Sequence, residues 1–405
     1  MVRKPQAPGP KPTSRPILGY CTNVHAGTTL DQIKRNLEEH TLEVKRQVSP
    51  DEPMGIGLWL PIETILAFCS TEHDGELLVD EMLAFREWLE SRGLFAYTFN
   101  GFPLRNFHQA VVKHDVYIPD WSHPARRDYT IAAAHLLNHL LPPGAEGSIS
   151  TLPIGWADSV EPGWADNLCD VIEVLADLYD ETGRVIHFDL EPEPGCEISD
   201  TQEILSFLMV MQMTSGLDAE VLKRHLRVCL DVCHTAVMFE KPTMMLEWLR
   251  EGGWSVGKVQ LSSALRVPFR GKKAAEKKTM RQRLEQFAED RYLHQTTIGT
   301  KDGSQIKAFH DDLPEALAAH KIGGDEWRIH FHVPIHLDRI EPLETTQSAI
   351  IELLAAIRPE DGIRHYEVET YAWGVLPEDL RPPRLADGIA AEMRWAQEQM
   401  SKMNI

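Results

Sequence analysis

The residue types best able to do chemistry stand at the ends of short apolar runs. One run reads His187-Phe-Asp-Leu-Glu191-Pro-Glu193-Pro, and a second Cys229-Leu-Asp231-Val-Cys-His234. A third reads Lys258-Val-Gln260-Leu-Ser, and a fourth Tyr366-Glu367-Val-Glu369-Thr-Tyr. If Glu191, Asp231, Gln260 and Glu369 meet at one point, their carboxylates repel one another strongly unless a cation lies between them. Carboxylates with an amide oxygen suit Mg²⁺ or Mn²⁺, and an added histidine shifts the preference toward Mn²⁺, Fe²⁺ or Zn²⁺. The expected cofactor is a divalent metal whose identity stays open. Alternation along a strand puts Glu367 and Glu369 on one face, and Glu369 is preferred because it lies nearer the strand's end. The same alternation joins Asp189, Glu191 and Glu193, and Pro192 argues that the strand stops at Glu191. Each residue alone has a plainer explanation, such as Asp231 capping a helix that contains His234. Four at successive strand ends are harder to explain that way.

These residues need a scaffold that gathers strand ends. Apolar runs predict strands at Ile17–Val24, Met54–Leu60, Phe95–Gly101, Ser148–Ile154, Val185–Glu191, Arg227–Asp231, Gly257–Ser262 and His365–Tyr371. Amphipathic stretches lie between them, the pattern of βαβ units and a parallel sheet. Thr29-x-x-Gln32 is a capping box followed by Leu30, Ile33, Leu37 and Val44 at helical spacing. Leu168, Ile172, Leu175 and Tyr179 form an apolar stripe that ends at Gly183, and Ile350, Leu353, Leu354 and Ile357 mark another helix. Eight strands with intervening helices close an α/β (β/α)8 TIM barrel, whose active face is built from the carboxyl ends of the strands. A ninth strand candidate, Trp327–Val333, lies within a stretch from 265 to 345 that is too long for one βα unit. That stretch, with its basic helix Lys272–Arg283 and a predicted hairpin Tyr292–Asp302–Phe309, is read as an insertion or lid over the barrel mouth, between the last two barrel strands. The long aromatic loop from Pro103 to Arg127 is a second lid candidate. Residues 1–15, Pro-rich and basic, are expected to form a disordered tail, and residues 16–405 a single barrel domain.

Composition removes several functions. The chain has 405 residues, with 41 Lys and Arg against 61 Asp and Glu, for a net charge of −20. Such an acidic protein is poorly suited to nucleic acid or to an anionic membrane surface. Its 6 cysteines include no CxxC pair, so neither a disulfide scaffold nor a zinc ribbon is expected. There is no apolar signal region and no apolar run of about 18 residues. The expectation is a soluble cytoplasmic protein, not membrane-embedded, of open oligomeric state. The run Lys272-Lys273-x-x-x-Lys277-Lys278, with Arg281 and Arg283, is read as a solvated helix face; its sharper reading is a patch for a phosphate or an acidic partner. Without interleaved aromatics it does not suit single-stranded nucleic acid.

Cys-Leu-Asp231-Val-Cys-His234 resembles the strand end I-D-x-C-H of the xylose isomerase-like barrels, which include sugar isomerases, epimerases and endonuclease IV. Val-Glu369-Thr resembles their closing L-E-T, and Val259-Gln260-Leu261 the glutamine strand of hydroxypyruvate isomerases. That resemblance implies Glu191, Asp231, Gln260 and Glu369 as metal ligands, with His234 binding substrate or a second metal. Gly-Tyr20-Cys-Thr-Asn23-Val-His25, Thr-Phe-Asn100-Gly-Phe-Pro103, Glu146-Gly-Ser-Ile-Ser-Thr, His330-Phe-His332-Val-Pro and Glu367-Val-Glu369-Thr-Tyr-Ala-Trp are similar to the metabolite traffic protein EboE group, over almost the whole chain. That group belongs to the same superfamily and is linked to moving a prenylated or polar precursor out of the cytoplasm, which implies a membrane-bound pathway partner. Many superfamily members carry histidine where this chain has Gln260, so a full zinc cluster of the nuclease kind is not expected. His332 and His294, in the insertion, are candidates for the missing nitrogens; His332 is taken as a ligand and His294 as a substrate contact. Alternating histidines are also a common polar face of an edge strand. Asn23, His25 and Asn100, at strand ends, are candidate substrate contacts, with Asn100 equally a turn residue before Gly101.

Three functions remain. The first is an isomerase- or epimerase-like enzyme acting on a small polyol or hydroxycarbonyl metabolite. In it Glu191 abstracts a proton next to the carbonyl, Glu369 returns it, His234 assists, and the metal stabilises the enediolate. The second is a metabolite-binding protein that hands its cargo to a partner. The third is a metal-dependent phosphoesterase of the endonuclease IV type acting on a small substrate.

Overall fold

A computed structural model describes residues 15–70, 77–300, 305–319 and 326–405. The expected N-terminal tail, apart from Arg15, lies outside the described residues, as does Asp302 of the predicted hairpin. Strands numbered in chain order begin with β1 (Ile17–Tyr20), β2 (Met54–Leu58), β3 (Leu94–Asn100), β4 (Gly147–Thr151), β5 (Ile186–Leu190), β6 (Leu226–Asp231) and β7 (Val256–Leu261). After the insertion comes β14 (His365–Val368). These eight form one parallel sheet in the order β1-β14-β7-β6-β5-β4-β3-β2. A parallel bridge from Cys21 to Gly57 brings its two edges together. The fold is a (β/α)8 barrel of the expected class, and each of the eight strands lies on a predicted segment. They were legible because strands covered on both faces read as nearly continuous apolar runs.

The connecting helices follow their local signals. Thr29 and Gln32 form the capping box, although the helix from Leu30 passes through a wider turn at Leu37–Thr41 before resuming at Leu42–Val48. The stripe from Leu168 lies on a helix, Trp164–Thr182, and Gly183 ends it at φ 70°. At Gly183 a left-handed backbone favours glycine. Among the described residues no helix is long and apolar enough to cross a membrane.

Between β7 and β14 the chain builds a second sheet. Its strands are β8 (Leu265–Pro268), β9 (Thr296–Gly299), β10 (Ile306–His310), β11 (Glu326–Ile329), β12 (Arg339–Ile340) and β13 (Leu343–Thr345). Their order is β10-β9-β11-β8-β13-β12, and every pairing is antiparallel. The ninth predicted strand is β11, and it belongs to this sheet, not to the barrel. The basic helix spans Ala274–Leu284 and buries Met280 and Leu284, while Lys272, Lys273 and Lys278 face solvent. Arg281 pairs with Glu285 at 3.0 Å and Arg283 with Asp379 at 2.6 Å, the arrangement of a solvated face. The Pro103–Arg127 loop is fastened to the insertion. Backbone N–H groups of Val112 and Lys113 donate to the Arg291 carbonyl at 2.8 and 2.9 Å, and Lys113 Nζ meets Asp312 at 2.6 Å.

Inside the barrel, period two stacks the inward side chains of one strand in layers. Lys258 lies one layer below Gln260, and Glu367 one layer below Glu369. Lys258 Nζ meets Glu367 Oε2 at 2.5 Å, with both side chains fully buried. The Glu367 carboxylate fills the space beside Gly57, where a Cβ would stand 1.4 Å from its Oε1. Asp189 accepts from Ser148 Oγ at 2.5 Å and lies 2.6 Å from His187 Nδ1. Below the mouth, Glu367 and Asp189 are thus each engaged by a neighbouring side chain.

One half-buried carboxylate gives a pH prediction. Glu240 Oε2 accepts from the Thr201 backbone at 3.0 Å and hydroxyl at 2.7 Å. Burial, with Asp200 and Glu203 nearby, pushes its carboxyl from 4.5 up to about 7. Between those values the folded chain holds more proton than the unfolded chain, so stability falls as pH rises through that window. Glu240→Gln keeps an acceptor for Thr201 and is expected to flatten that slope. Urea titrations at both ends of the window should show roughly 2 kcal/mol lost by the parent and little by the variant.

Candidate metal and acid–base site

Strands β5, β6, β7 and β14 deliver polar residues at or next to their carboxyl ends. Asp231 closes β6 and caps the short helix Val232–Val237, with Oδ1 accepting from the His234 N–H at 2.9 Å and from Ser262 Oγ at 2.7 Å. The plain role of Asp231 as a helix cap is thus real, and Oδ2 remains for the site. Gln260, paired with Asp231 across β6 and β7, sends its amide between two carboxylates. With nitrogen turned toward them it donates to Glu191 Oε1 at 2.7 Å and Asp231 Oδ2 at 3.0 Å. With oxygen turned toward them, three oxygens meet and only a cation holds them together. Glu369 follows β14, and its Oε1 accepts from Asn23 Nδ2 at 2.6 Å. Glu191, Asp231 and Glu369 are each at most 5% exposed. The barrel's buried cation below them, Lys258, is already bound to Glu367. That buried negative charge fits a divalent ion.

Above this floor lies a pocket of about 550 Å³, including its open mouth. Its wall includes Asn23, Asn100, Glu191, His234, His332 and Glu369 from the predicted set, with Asp231 and Gln260 beneath. Phe102, Phe107, Tyr292 and Tyr371 supply apolar faces, and Tyr117 from the Pro103–Arg127 loop donates to Glu193 at 2.6 Å. Asn100 also does the turn work, its Oδ1 accepting from the Phe102 N–H at 3.1 Å.

Two of the expected contacts lie off this wall. His25 is not on the pocket wall: its Nε2 pairs with the Tyr20 hydroxyl at 2.9 Å and its ring stacks on His40 at 4.9 Å. His294 is not on the wall either. Its nitrogens engage Glu289 Oε1 and the His330 carbonyl, both at 2.9 Å, which holds the backbone just past β11 that carries His330. Conversely, sequence reasoning underweighted His330, Glu193 and Cys233. His330 Nε2 stands 3.2 Å from His234 Nε2 and 3.1 Å from His332 Nε2. Among the described residues, three trios place ligand atoms within 4.8 Å of one another: Cys233, His330 and His332; Glu193, His234 and His330; Asp231, His234 and His332. The signal was present as alternation, His330 two before His332 and Glu193 two after Glu191.

The surroundings push the two flanking carboxylates apart. Burial, then the charges of Asp231 and Glu369, raise the Glu191 carboxyl well above its ordinary range. Burial would raise Glu369 too, but His332 at 2.5 Å from Oε2, together with Asn23, holds it below that range. Burial, then the imidazoles of His234, His332 and His294, push His330 well below its ordinary value.

The fold and these strand ends define a (β/α)8 barrel with metal-ligand side chains on its carboxyl face. The sequence matches no protein-family model and no curated protein. Solved structures resemble it over nearly its whole length. A xylose isomerase-like TIM barrel protein from Mycobacterium smegmatis, in complex with magnesium, is 10% identical, with 96% of this chain and 97% of that one covered and a TM-score of 0.48. D-allulose 3-epimerase from a Methylomonas species, in complex with D-allulose, is 12% identical, with 97% and 99% covered and a TM-score of 0.46. A xylose isomerase domain protein from Planctomyces limnophilus is 11% identical, with 96% and 97% covered and a TM-score of 0.45. The motif resemblance to the EboE group receives no support from a family model.

Proposed function

We propose that this chain is a divalent-metal-dependent enzyme that moves a proton on a small hydroxycarbonyl or polyol metabolite, in the manner of an isomerase or epimerase. The observation that carries the reading is the pair Glu191 and Glu369, buried in one pocket wall over the Asp231 and Gln260 floor. Glu191, Asp231, Gln260 and Glu369 would hold the ion, with His332 beside them. When bound, the ion supplies a Lewis acid for a carbonyl or hydroxyl oxygen.

The chain's own residues do the rest. Glu191 and Glu369, on opposite sides of the floor, are the two carboxylates that take the proton and give it back, and Glu369 is oriented for this by His332 and Asn23. Asn23, Asn100 and Glu193 offer partners for hydroxyl groups, and the aromatic wall covers C–H faces and excludes water. In a cytoplasmic metabolite-trafficking pathway of the kind the EboE motifs imply, such a reaction would tailor a polar precursor.

Protein purified without chelator is expected to carry divalent metal, and Asp231→Ala to lose it, both measured by elemental analysis. A parent chain that holds no metal, and takes none up from added Mg²⁺, Mn²⁺ or Zn²⁺, would overturn the proposal in favour of a binding and handover role.

A further inference from the structure

One buried carboxylate off the pocket wall reaches two stretches of chain that carry site residues. Glu392 stands on the last helix, Leu385–Lys402, and is 1% exposed. Its Oε1 accepts from the Ile335 N–H at 3.0 Å and from Thr370 Oγ1 at 2.7 Å. Its Oε2 accepts from Trp373 Nε1 at 2.9 Å. Thr370 is the neighbour of Glu369, and Ile335 lies three residues past His332. Glu392 thus binds both the barrel seam that carries Glu369 and the insertion segment that carries His332. The same two stretches meet again at the pocket, where His332 Nδ1 lies 2.5 Å from Glu369 Oε2 and 2.8 Å from the Glu369 carbonyl.

A carboxylate in a protein interior is costly unless hydrogen bonds replace its water. Three neutral donors do so here, and each belongs to one of these two stretches. The helix makes room for the arrangement. A Cβ on Gly388, one turn before Glu392, would stand 2.6 Å from Trp373 Cη2. Glycine weakens a helix interior, but at this position it lets the indole lie against the helix and reach the carboxylate. The Val333 N–H separately anchors the insertion segment to the Ser263 carbonyl at 2.9 Å. Removal of Glu392 is therefore expected to shift His332, not to release the insertion.

We propose that Glu392 is a positioning residue: by binding both stretches at once, it sets the contact between His332 and Glu369. For its effect on the reaction, this rests on the metal-dependent reading of the pocket. Outer partners that orient the side chains around a metal are a usual requirement of such sites. When the two stretches lose their common acceptor, Glu369 loses the imidazole that orients it.

The test uses the full chain, first freed of metal. The hydrogen on His332 Nδ1, held between carboxylate and carbonyl oxygens, is expected to give a far-downfield proton NMR resonance. His332→Gln assigns that resonance by its loss. Glu392→Ala is expected to abolish it or move it upfield, and to lower Mn²⁺ affinity by about 10- to 100-fold, the usual cost of losing an outer partner. Glu392→Gln combined with Trp373→Phe is expected to restore both. Its amide oxygen accepts from Ile335 and Thr370, and the indole N–H that would oppose the amide nitrogen is gone. A carboxylate that only stabilises the fold gives a different result: a lower melting temperature with the parent's resonance and affinity. Either readout left unchanged in the folded Glu392→Ala protein would overturn the proposal, and so would a parent without the resonance. If Glu392→Ala does not fold, as judged by circular dichroism, Thr370→Val removes the hydroxyl donor beside Glu369 and carries the same expectation. A parent chain that takes up no ion would overturn the metal-dependent reading, and the resonance alone then decides the role of Glu392.

Discussion

Glu191→Gln is expected to slow carbon–proton exchange by about 10²- to 10⁴-fold, the range a positioned acid or base contributes. It is also expected to raise the melting temperature of the metal-free protein. The two effects share one cause. Glu191 is buried beside Asp231 and Glu369, and like charges at that depth are unfavourable unless a cation or a proton is present. Glutamine keeps the shape and an acceptor for the Gln260 amide but carries no charge and no transferable proton. Exchange of solvent deuterium into ketoses and related hydroxycarbonyl compounds, followed by NMR, reads the first effect without knowledge of the product. Calorimetry of the chelated protein reads the second. A variant that loses exchange without gaining stability would show that Glu191 is not held among repelling charges. A variant that keeps full exchange would remove Glu191 from the chemistry.

Lys258→Met is expected to destabilise the fold by about 3–5 kcal/mol, because it strands the fully buried Glu367 carboxylate without its partner. Removing both charges should cost far less: Lys258→Met combined with Glu367→Leu is expected to recover most of the loss. Denaturant unfolding of the two single variants and the double variant measures the coupling directly. Equal destabilisation in all three would mean that packing, not the ion pair, dominates this layer. The pair lies directly below the site, so its removal also tests whether the floor under Gln260 and Glu369 is held from beneath.

Much of the barrel was legible because its strands are apolar along their length and its polar residues stand only at their ends. Asp231 and Glu369 stand out in the sequence by that contrast, and the fold brings both to the same end of the barrel. The second sheet was harder. β10 is partly exposed and β12 has two residues, so neither carries a strong pattern, and both depend on antiparallel partners far along the chain. The histidines show the limit most clearly. His25, His294 and His330 look alike in sequence, yet one stacks on His40, one braces a neighbouring backbone and one faces the pocket. What separates them is the partner of each ring nitrogen, and the Nδ1 partners lie 36 residues away for His294 and 35 for His330.

The strand order has a consequence for synthesis. β2 to β7 add to the sheet in the order they leave the ribosome, each beside its predecessor, but β1 takes its main partner from the far end of the chain. Until residues past 368 emerge, the nascent barrel is an open trough with an unpaired first strand, and the insertion must fold before the gap can be filled. β14 then slides between β1 and β7, and the same movement brings Glu369 against Asn23. The last seam to close is therefore the one that completes the site, so an unfinished chain holds only a partial set of ligands.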